Sequence, residues 1–240
     1  MFEQKKMCVL VTRSQDMYLA PMNILKPMFD GTILDGELVK TSDGAGWLYM
    51  VYDCLMTNGI PCAQRHLKER LALAEVFVDG IMKVKKDPFA FKMKTFWPLS
   101  EFSEFQKSTF PYATDGIVFT PVHEPVRSGT HETMFKWKPR DENTIDFLFR
   151  LTGIQTKKWS MYVQEKGKMI FESELAVGQE LEGTVDGSIV ECQYQHGEEP
   201  RWWKPLNIRR DKTHPNNRRT FYRTLVNIAE NIQLDEFKKM

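Results

Sequence analysis

Residues 134–147 read MFKWKPRDENTIDF, and their pattern sets the division of the chain. In an extended segment side chains alternate between faces, so Lys136 and Lys138 share one face and Trp137 takes the other. Two ammonium groups side by side repel unless an anion lies between them. Pro139 has no N–H to donate and ends the ladder. The polar run Arg140, Asp141, Glu142, Asn143 follows, and a new alternating apolar segment starts at Ile145. The pattern predicts the last strand of a phosphate-binding domain, residues 1–143, then a hinge into a second domain, residues 144–240. An edge strand with solvated lysines explains these few residues equally well.

The totals bound the rest. At 240 residues the chain holds one large domain, or a medium and a small one. A net charge of +1 gives no whole-molecule field toward nucleic acid, although the charge is unevenly spread. Cys8, Cys54, Cys62 and Cys192 show no CxxC spacing, which predicts reduced thiols in an intracellular protein. No run of 18 apolar residues occurs, so neither a transmembrane helix nor a membrane partner is expected. The start, MFEQKKMCVLV, is too short an apolar stretch for a signal peptide and enters a strand pattern at once, as a chain beginning inside a domain does.

Upstream of residue 134, Cys8–Thr12 and Met17–Leu19 predict a hairpin with Arg13 at its tip, where a solvated turn arginine is the simpler reading. In Phe29–Val39 (FDGTILDGELV), Asp35 and Glu37 alternate onto one face of an apolar strand. Carboxylates buried there would need a partner or a metal. Gly36 between them permits close backbone approach. Trp47–Leu55 (WLYMVYDCL) is an aromatic strand in which Tyr52 offers a ring for a base to stack on, although such strands are more often plain core. Leu67, Leu71, Ala74 and Val78 predict a helix over Gln64–Val78. Lys83–Phe96 predicts a strand with Lys92 and Lys94 on one face, Ser100 a short helix to Ser108, and Thr114–Thr120 (TDGIVFT) a strand with Asp115 at its mouth. Acids at Asp35, Glu37, Asp53 and Asp115, opposed by Lys136 and Lys138, suit a nucleoside triphosphate carrying a divalent metal.

Downstream, Ile145–Arg150, Trp159–Gln164, Lys168–Glu172, Ser188–Gln195 and Arg201–Ile208 predict five short strands, a small OB-like barrel. From Arg201 to Arg223, eight cations against the single acid Asp211 leave +7, a surface fit for phosphates or an RNA end, with Trp202 and Trp203 beside it. Asn217 caps a last helix that buries Phe221, Leu225, Ile228 and Ile232.

The series ILDGELV, YMVYDCL, TDGIVF, FKWKP and RRDK, in that order, resembles the covalent nucleotidyltransferases. Within them it is most similar to the mRNA capping guanylyltransferases, particularly the compact forms of large DNA viruses. The TIDF after FKWKP and the HPNN after RRDK favour these over polynucleotide ligases. The resemblance implies an α+β fold: a nucleotidyltransferase domain of ATP-grasp-like antiparallel sheets with helices, then a C-terminal OB-fold β-barrel. It implies transfer of GMP from GTP to the 5'-diphosphate end of RNA through a lysyl-GMP intermediate, with Mg2+ or Mn2+. Arg13 would contact phosphate or ribose, Glu37 the ribose with Asp35 in support, Tyr52 would stack on guanine and Lys94 read its O6 edge. Asp115 would serve the metal, and Lys136 and Lys138 would grip the α-phosphate. Arg209, Asp211 and Lys212 would close over the β- and γ-phosphates. Capping also needs an RNA triphosphatase and a cap methyltransferase from somewhere, and the compartment, nucleus or cytoplasm (as in a viral factory), stays open.

The family's nucleophile is the lysine of a KxDG motif upstream of the DGEL strand, and no KxDG occurs in these 240 residues. The expectation is a truncated guanylyltransferase that binds nucleotide poorly and forms no lysyl-GMP as given. The alternatives are a catalytically inactive subunit that binds a nucleotide or RNA end, and an ATP-dependent polynucleotide ligase.

Overall fold

The computed structural model describes residues 7–12, 15–22, 31–81, 87–129, 131–153, 158–195 and 202–239. The chain falls into two compact units, residues 1–114 with 118–136 and residues 115–117 with 137–240.

In the first unit, β1 (Met7–Val11) and β2 (Met17–Pro21) form the expected hairpin, paired from Met7 with Pro21 to Val11 with Met17. Its inner residues Cys8, Leu10 and Ala20 pack on the core. β4 (Trp47–Thr57) is the central strand of a sheet, antiparallel to β3 (Ile33–Lys40) and β5 (Ile60–Pro61) and parallel to β6 (Ala90–Met93). The long aromatic and β-branched run makes β4 a good central strand, with Val51 and Cys54 fully buried. Helix α1 (Leu67–Gly80) lays Ala74, Phe77 and Val78 on Phe89 and Phe91. It begins later than the expected Gln64, because the His66 N–H donates to Glu69 Oε2 at 3.2 Å and so caps the helix there. A 3-10 turn at Leu99–Glu101 leads into α2 (Phe102–Lys107), where Glu101 rather than Ser100 holds the cap position.

One expectation about this unit is overturned. Among the described residues β3 is an edge strand, and Asp35 and Glu37 are exposed on it, not buried. An apolar run with DG inside it reads as a core strand, but one missing neighbour leaves such a strand half in water.

β7 (Ile117–Phe119) and β8 (Phe135–Trp137) form a two-stranded ribbon. In the second unit the five expected strands are present: β9 (Thr144–Gly153), β10 (Lys158–Glu165), β11 (Lys168–Leu175), β12 (Ile189–Tyr194) and β13 (Trp203–Ile208). Their order in the sheet is β11-β10-β9-β12-β13, every neighbour antiparallel. First pairs with second and fourth, second with third, fourth with fifth. This is the connectivity of an OB barrel opened between its third and fifth strands. Ile145, Phe147, Phe149, Met161, Val163, Val190 and Cys192 fill it.

Helix α3 (Arg218–Glu230) closes the barrel with Phe221 against Phe147 and Trp203. The Asn217 side chain accepts the Arg219 N–H at 2.9 Å, as its capping role requires. Two details differ from the sequence reading. Trp203 is core, and only Trp202 reaches the surface. Ile232 is 45% exposed, because Asn231 turns left-handed (φ +46°) and ends the helix one residue earlier.

Candidate functional site

The first constellation is built on β3 and β4. Asp35 pairs with Asp53 and Gly36 with Val51, so Tyr52 is the extra residue of a β-bulge. A bulge re-aims its side chain, and the Tyr52 hydroxyl donates to Asp35 Oδ1 at 3.0 Å. The Gly36 N–H donates to the same oxygen at 3.0 Å. Lys94 extends the β6 ladder, its N–H bonded to the Val51 carbonyl at 2.7 Å, and its Nζ stands 5.9 Å from the Tyr52 ring centre. Asp35, Tyr52 and Lys94 are therefore brought together. Glu37 lies near Tyr112, whose hydroxyl is pushed up first by burial and then by the Glu37 charge. Arg13 lies outside the described residues.

The fold itself requires Gly36: a Cβ there would meet the Tyr49 ring at 2.5 Å. Burial first, then the Asp35 and Cys8 charges, push the Tyr49 hydroxyl up to about 12. A phenol raised above its ordinary 10 contributes stability that is full below pH 10 and is lost as pH rises from 10 to about 12. We expect one late-titrating tyrosine in the phenolate absorbance, near pH 12, that disappears in Tyr49→Phe. A titration curve unchanged by that substitution would refute the assignment.

Asp53 has a different task from the one its position suggests. Arg70 of α1, 3% exposed, grips it with Nε to Oδ1 at 2.7 Å and Nη2 to Oδ2 at 2.9 Å. Asp53 is thus a partly buried structural carboxylate. The signal was present: Arg70 sits three residues after Leu67 and four before Ala74, on the buried stripe of the helix.

The TDG segment and the strand with the two lysines meet at one place. Asp115 Oδ2 pairs with Lys138 Nζ at 2.8 Å, with Asp115 the more exposed partner. Between them Gly116 adopts φ +150°, and a Cβ there would lie 2.2 Å from the Trp137 carbonyl oxygen, so only glycine fits. Trp137 is anchored, with Nε1 donating to the Ile232 carbonyl at 2.8 Å and its ring against Phe237. Strand alternation then directs Lys136, which is exposed, and Lys138 to the side opposite the indole.

The cation-rich cluster of the second unit is organised by a residue that sequence reasoning missed. Asp146, 5% exposed on β9, receives Arg209 Nη1 at 3.2 Å and Lys212 Nζ. Arg209 also forks onto Asp211, Nε to Oδ1 at 3.0 Å and Nη2 to Oδ2 at 2.8 Å. That pairing holds the Asp211 carboxyl down at about 2 and pushes the Arg209 guanidinium above its usual range. Asn216 fixes the Asp146 backbone from both sides, its Oδ1 accepting the Asp146 N–H and its own N–H reaching the Asp146 carbonyl, each at 2.8 Å. The RRDK and HPNN segments are therefore two halves of one support for Arg209 and Lys212. Among the described residues no group of three or more His, Cys, Asp or Glu is arranged to hold a metal by itself.

Comparison with known proteins gives the family. The family model described as "mRNA capping enzyme, catalytic domain" matches residues 1–140, and "mRNA capping enzyme, C-terminal domain" matches residues 142–237. The chain belongs to the mRNA capping enzyme family. The two matched stretches of this capping-enzyme chain meet in the 3-10 turn Arg140–Glu142, which the Asn143 side chain braces by donating to the Pro139 carbonyl at 2.9 Å. The chain is similar to an "mRNA-capping enzyme subunit alpha" of Yarrowia lipolytica, 28% identical over 86% of this chain and 62% of that protein. To the Saccharomyces cerevisiae protein of the same name it is 26% identical, over 97% and 68%. A Mus musculus "mRNA-capping enzyme" is 24% identical over 90% of this chain and 38% of its own length. The capping-enzyme chain thus spans 62% of the Yarrowia protein and a smaller share of the mouse one. The solved structure "mycobacterial DNA ligase D complexed with ATP and MES" is a remote likeness: TM-score 0.41, 15% identity, 75% of this chain and 73% of that one.

Proposed function

We propose that this chain carries the nucleotide- and RNA-end-handling machinery of an mRNA guanylyltransferase, which moves GMP from GTP onto the 5'-diphosphate end of RNA. The observation that carries the reading is the match of catalytic and C-terminal capping models, in order, over residues 1–140 and 142–237. The Asp35–Tyr52–Lys94 constellation supports it. The half-buried Tyr52 ring, steadied through its hydroxyl, is a stacking surface for guanine, and the Lys94 ammonium is a donor for the O6 edge.

Glu37, exposed on β3, accepts from ribose hydroxyls, and Arg13 contacts nucleotide phosphate or ribose. Lys136 and Lys138 neutralise the α-phosphate as it is attacked, and Lys138 exchanges its Asp115 partner for phosphate. Arg209 and Lys212, pre-oriented by Asp146 and Asp211, hold the β- and γ-phosphates so that pyrophosphate leaves as a stabilised anion. The Asp115 carboxylate fits Mg2+ or Mn2+, which takes one or two carboxylates plus phosphate oxygens and draws charge from the phosphates.

No Lys-X-Asp-Gly occurs within the 240 residues, so acid-stable protein label requires a nucleophile supplied from outside them. The test is therefore binding first. We expect the chain to bind GTP in preference to ATP with Mg2+ present, and Tyr52→Ala to weaken GTP by about tenfold through loss of stacking. Tyr52→Phe, which keeps the ring, should change little. Preference for ATP would turn the reading toward a polynucleotide ligase. RNA-end binding without any nucleotide binding would turn it toward an inactive end-binding subunit.

A further inference from the structure

The structure divides the basic run into cations already engaged and cations left open. Arg209 and Lys212 hold Asp146, and Arg218 holds Glu172 and Glu165. Two arginines of α3 have no carboxylate partner among the described residues: Arg219 and Arg223, both exposed. They stand four residues apart, one above the other on the helix surface, about 6 Å along its axis. Like charges in that relation repel, and from Lys212 to Ala229 the sequence offers no acid to relieve them.

The same stripe carries apolar surface. Tyr222 is 48% exposed and Val226 52%, three and seven residues beyond Arg219. The opposite face of the helix, Phe221 and Ile228, is buried in the barrel, so the stripe cannot turn inward. Tyr222 is not loose: the Arg218 guanidinium lies 5.3 Å from its ring centre, itself tied to Glu172 by Nε at 2.7 Å. The result is two open arginines beside an aromatic ring held in place. Guanidiniums grip phosphates, and a fixed ring stacks on any base.

We propose that the outward stripe of α3, Arg219, Tyr222, Arg223 and Val226, is a track for single-stranded RNA, holding the nucleotides that follow the 5' end. It rests on the capping reading only for the identity of the polyanion. RNA is preferred over an acidic peptide because an exposed ring adjoins both charges on one helix face, where a base and two neighbouring phosphates match all three groups.

The test is fluorescence anisotropy with a labelled 5'-diphosphate oligoribonucleotide about 20 nucleotides long, titrated at several salt concentrations. Each phosphate contact on a single strand contributes about 0.7 to the slope of log affinity against log salt. Arg219→Ala/Arg223→Ala should therefore lower that slope by about 1.4, the share of two contacts. Tyr222→Ala should weaken binding by about tenfold with the slope unchanged. All three positions are exposed, so the variants should keep the parent's melting temperature and GTP affinity. An unchanged slope and affinity in the double variant would overturn the proposal. So would a phosphopeptide of equal charge binding the parent as tightly as the RNA. GTP binding is read in parallel: RNA results as expected without GTP binding would sink the capping reading and leave the track, and the reverse would sink only the track.

Discussion

Arg70→Met is expected to lower the stability of the protein by about 4 kcal/mol, the largest loss any single substitution outside the apolar core should cause. Arg70 is 3% exposed and makes four hydrogen bonds through its guanidinium. Nε and Nη2 hold the Asp53 carboxylate, and Nη1 donates to the Arg65 carbonyl at 2.5 Å and the Glu124 carbonyl at 3.0 Å. Methionine fills much of the volume but leaves a carboxylate of 16% exposure with one remaining donor, the Cys54 N–H at 2.7 Å. An uncompensated buried charge dominates that balance. Asp53→Leu combined with Arg70→Met should recover much of the loss, because removing both ions also removes the desolvation cost. Urea unfolding of parent, single and double variants measures this. A single variant within 1 kcal/mol of the parent, well under the usual cost of breaking a buried pair, would show that the pair is not structural. Because Asp53 follows Tyr52 on β4, the single variant should also bind GTP less well than its stability alone explains.

What could be read in the sequence follows from how local each cause is. The five barrel strands were legible because odd positions such as Ile145, Phe147 and Phe149 alternate inward, a pattern written within each strand. The Asn217 cap was legible for the same reason. The bulge at Tyr52 was not, since it exists only in the register of β4 against β3. The extra residue brings Asp53 into register with Asp35, which the pattern of WLYMVYDCL alone does not show. The exposure of Asp35 and Glu37 was illegible because it depends on β3 having, among the described residues, a strand on one side only. Asp146 and its partners are 63 and 66 residues apart, so nothing near TIDF announces that its acid faces the RRDK segment. Where several long-range contacts share one site, single-sequence reading names the cations and misses the carboxylate that orients them.

Asp146→Ala is the second large effect, about 3 kcal/mol, smaller than Arg70→Met because Arg209 and Lys212 are 26% and 35% exposed and can return to water. The loss is made of two broken ion pairs and a loosened 209–216 segment, since the carboxylate is its common anchor. The Asn216 contacts to the Asp146 backbone survive the substitution, so strand β9 should keep its register. Hydrogen exchange should accordingly rise at Arg209, Arg210 and Lys212 and stay low at Phe147 and Phe149. Uniform exchange across the barrel would mean that Asp146 is a general fold determinant. Acid titration separates its role from that of Asp211. The Asp211 carboxyl is held near 2, first by its hydrogen bond from Arg209, so its contribution is complete above its ordinary value of 3.8 and disappears as pH falls toward 2. In the Asp146→Ala protein Asp211 is, among the described residues, the acid still ion-paired with Arg209, so the residual order of the segment should be lost within that same acid window. Loss of order well above pH 4, the unfolded-state limit for an aspartate, would mean that some other group holds Arg209 in place.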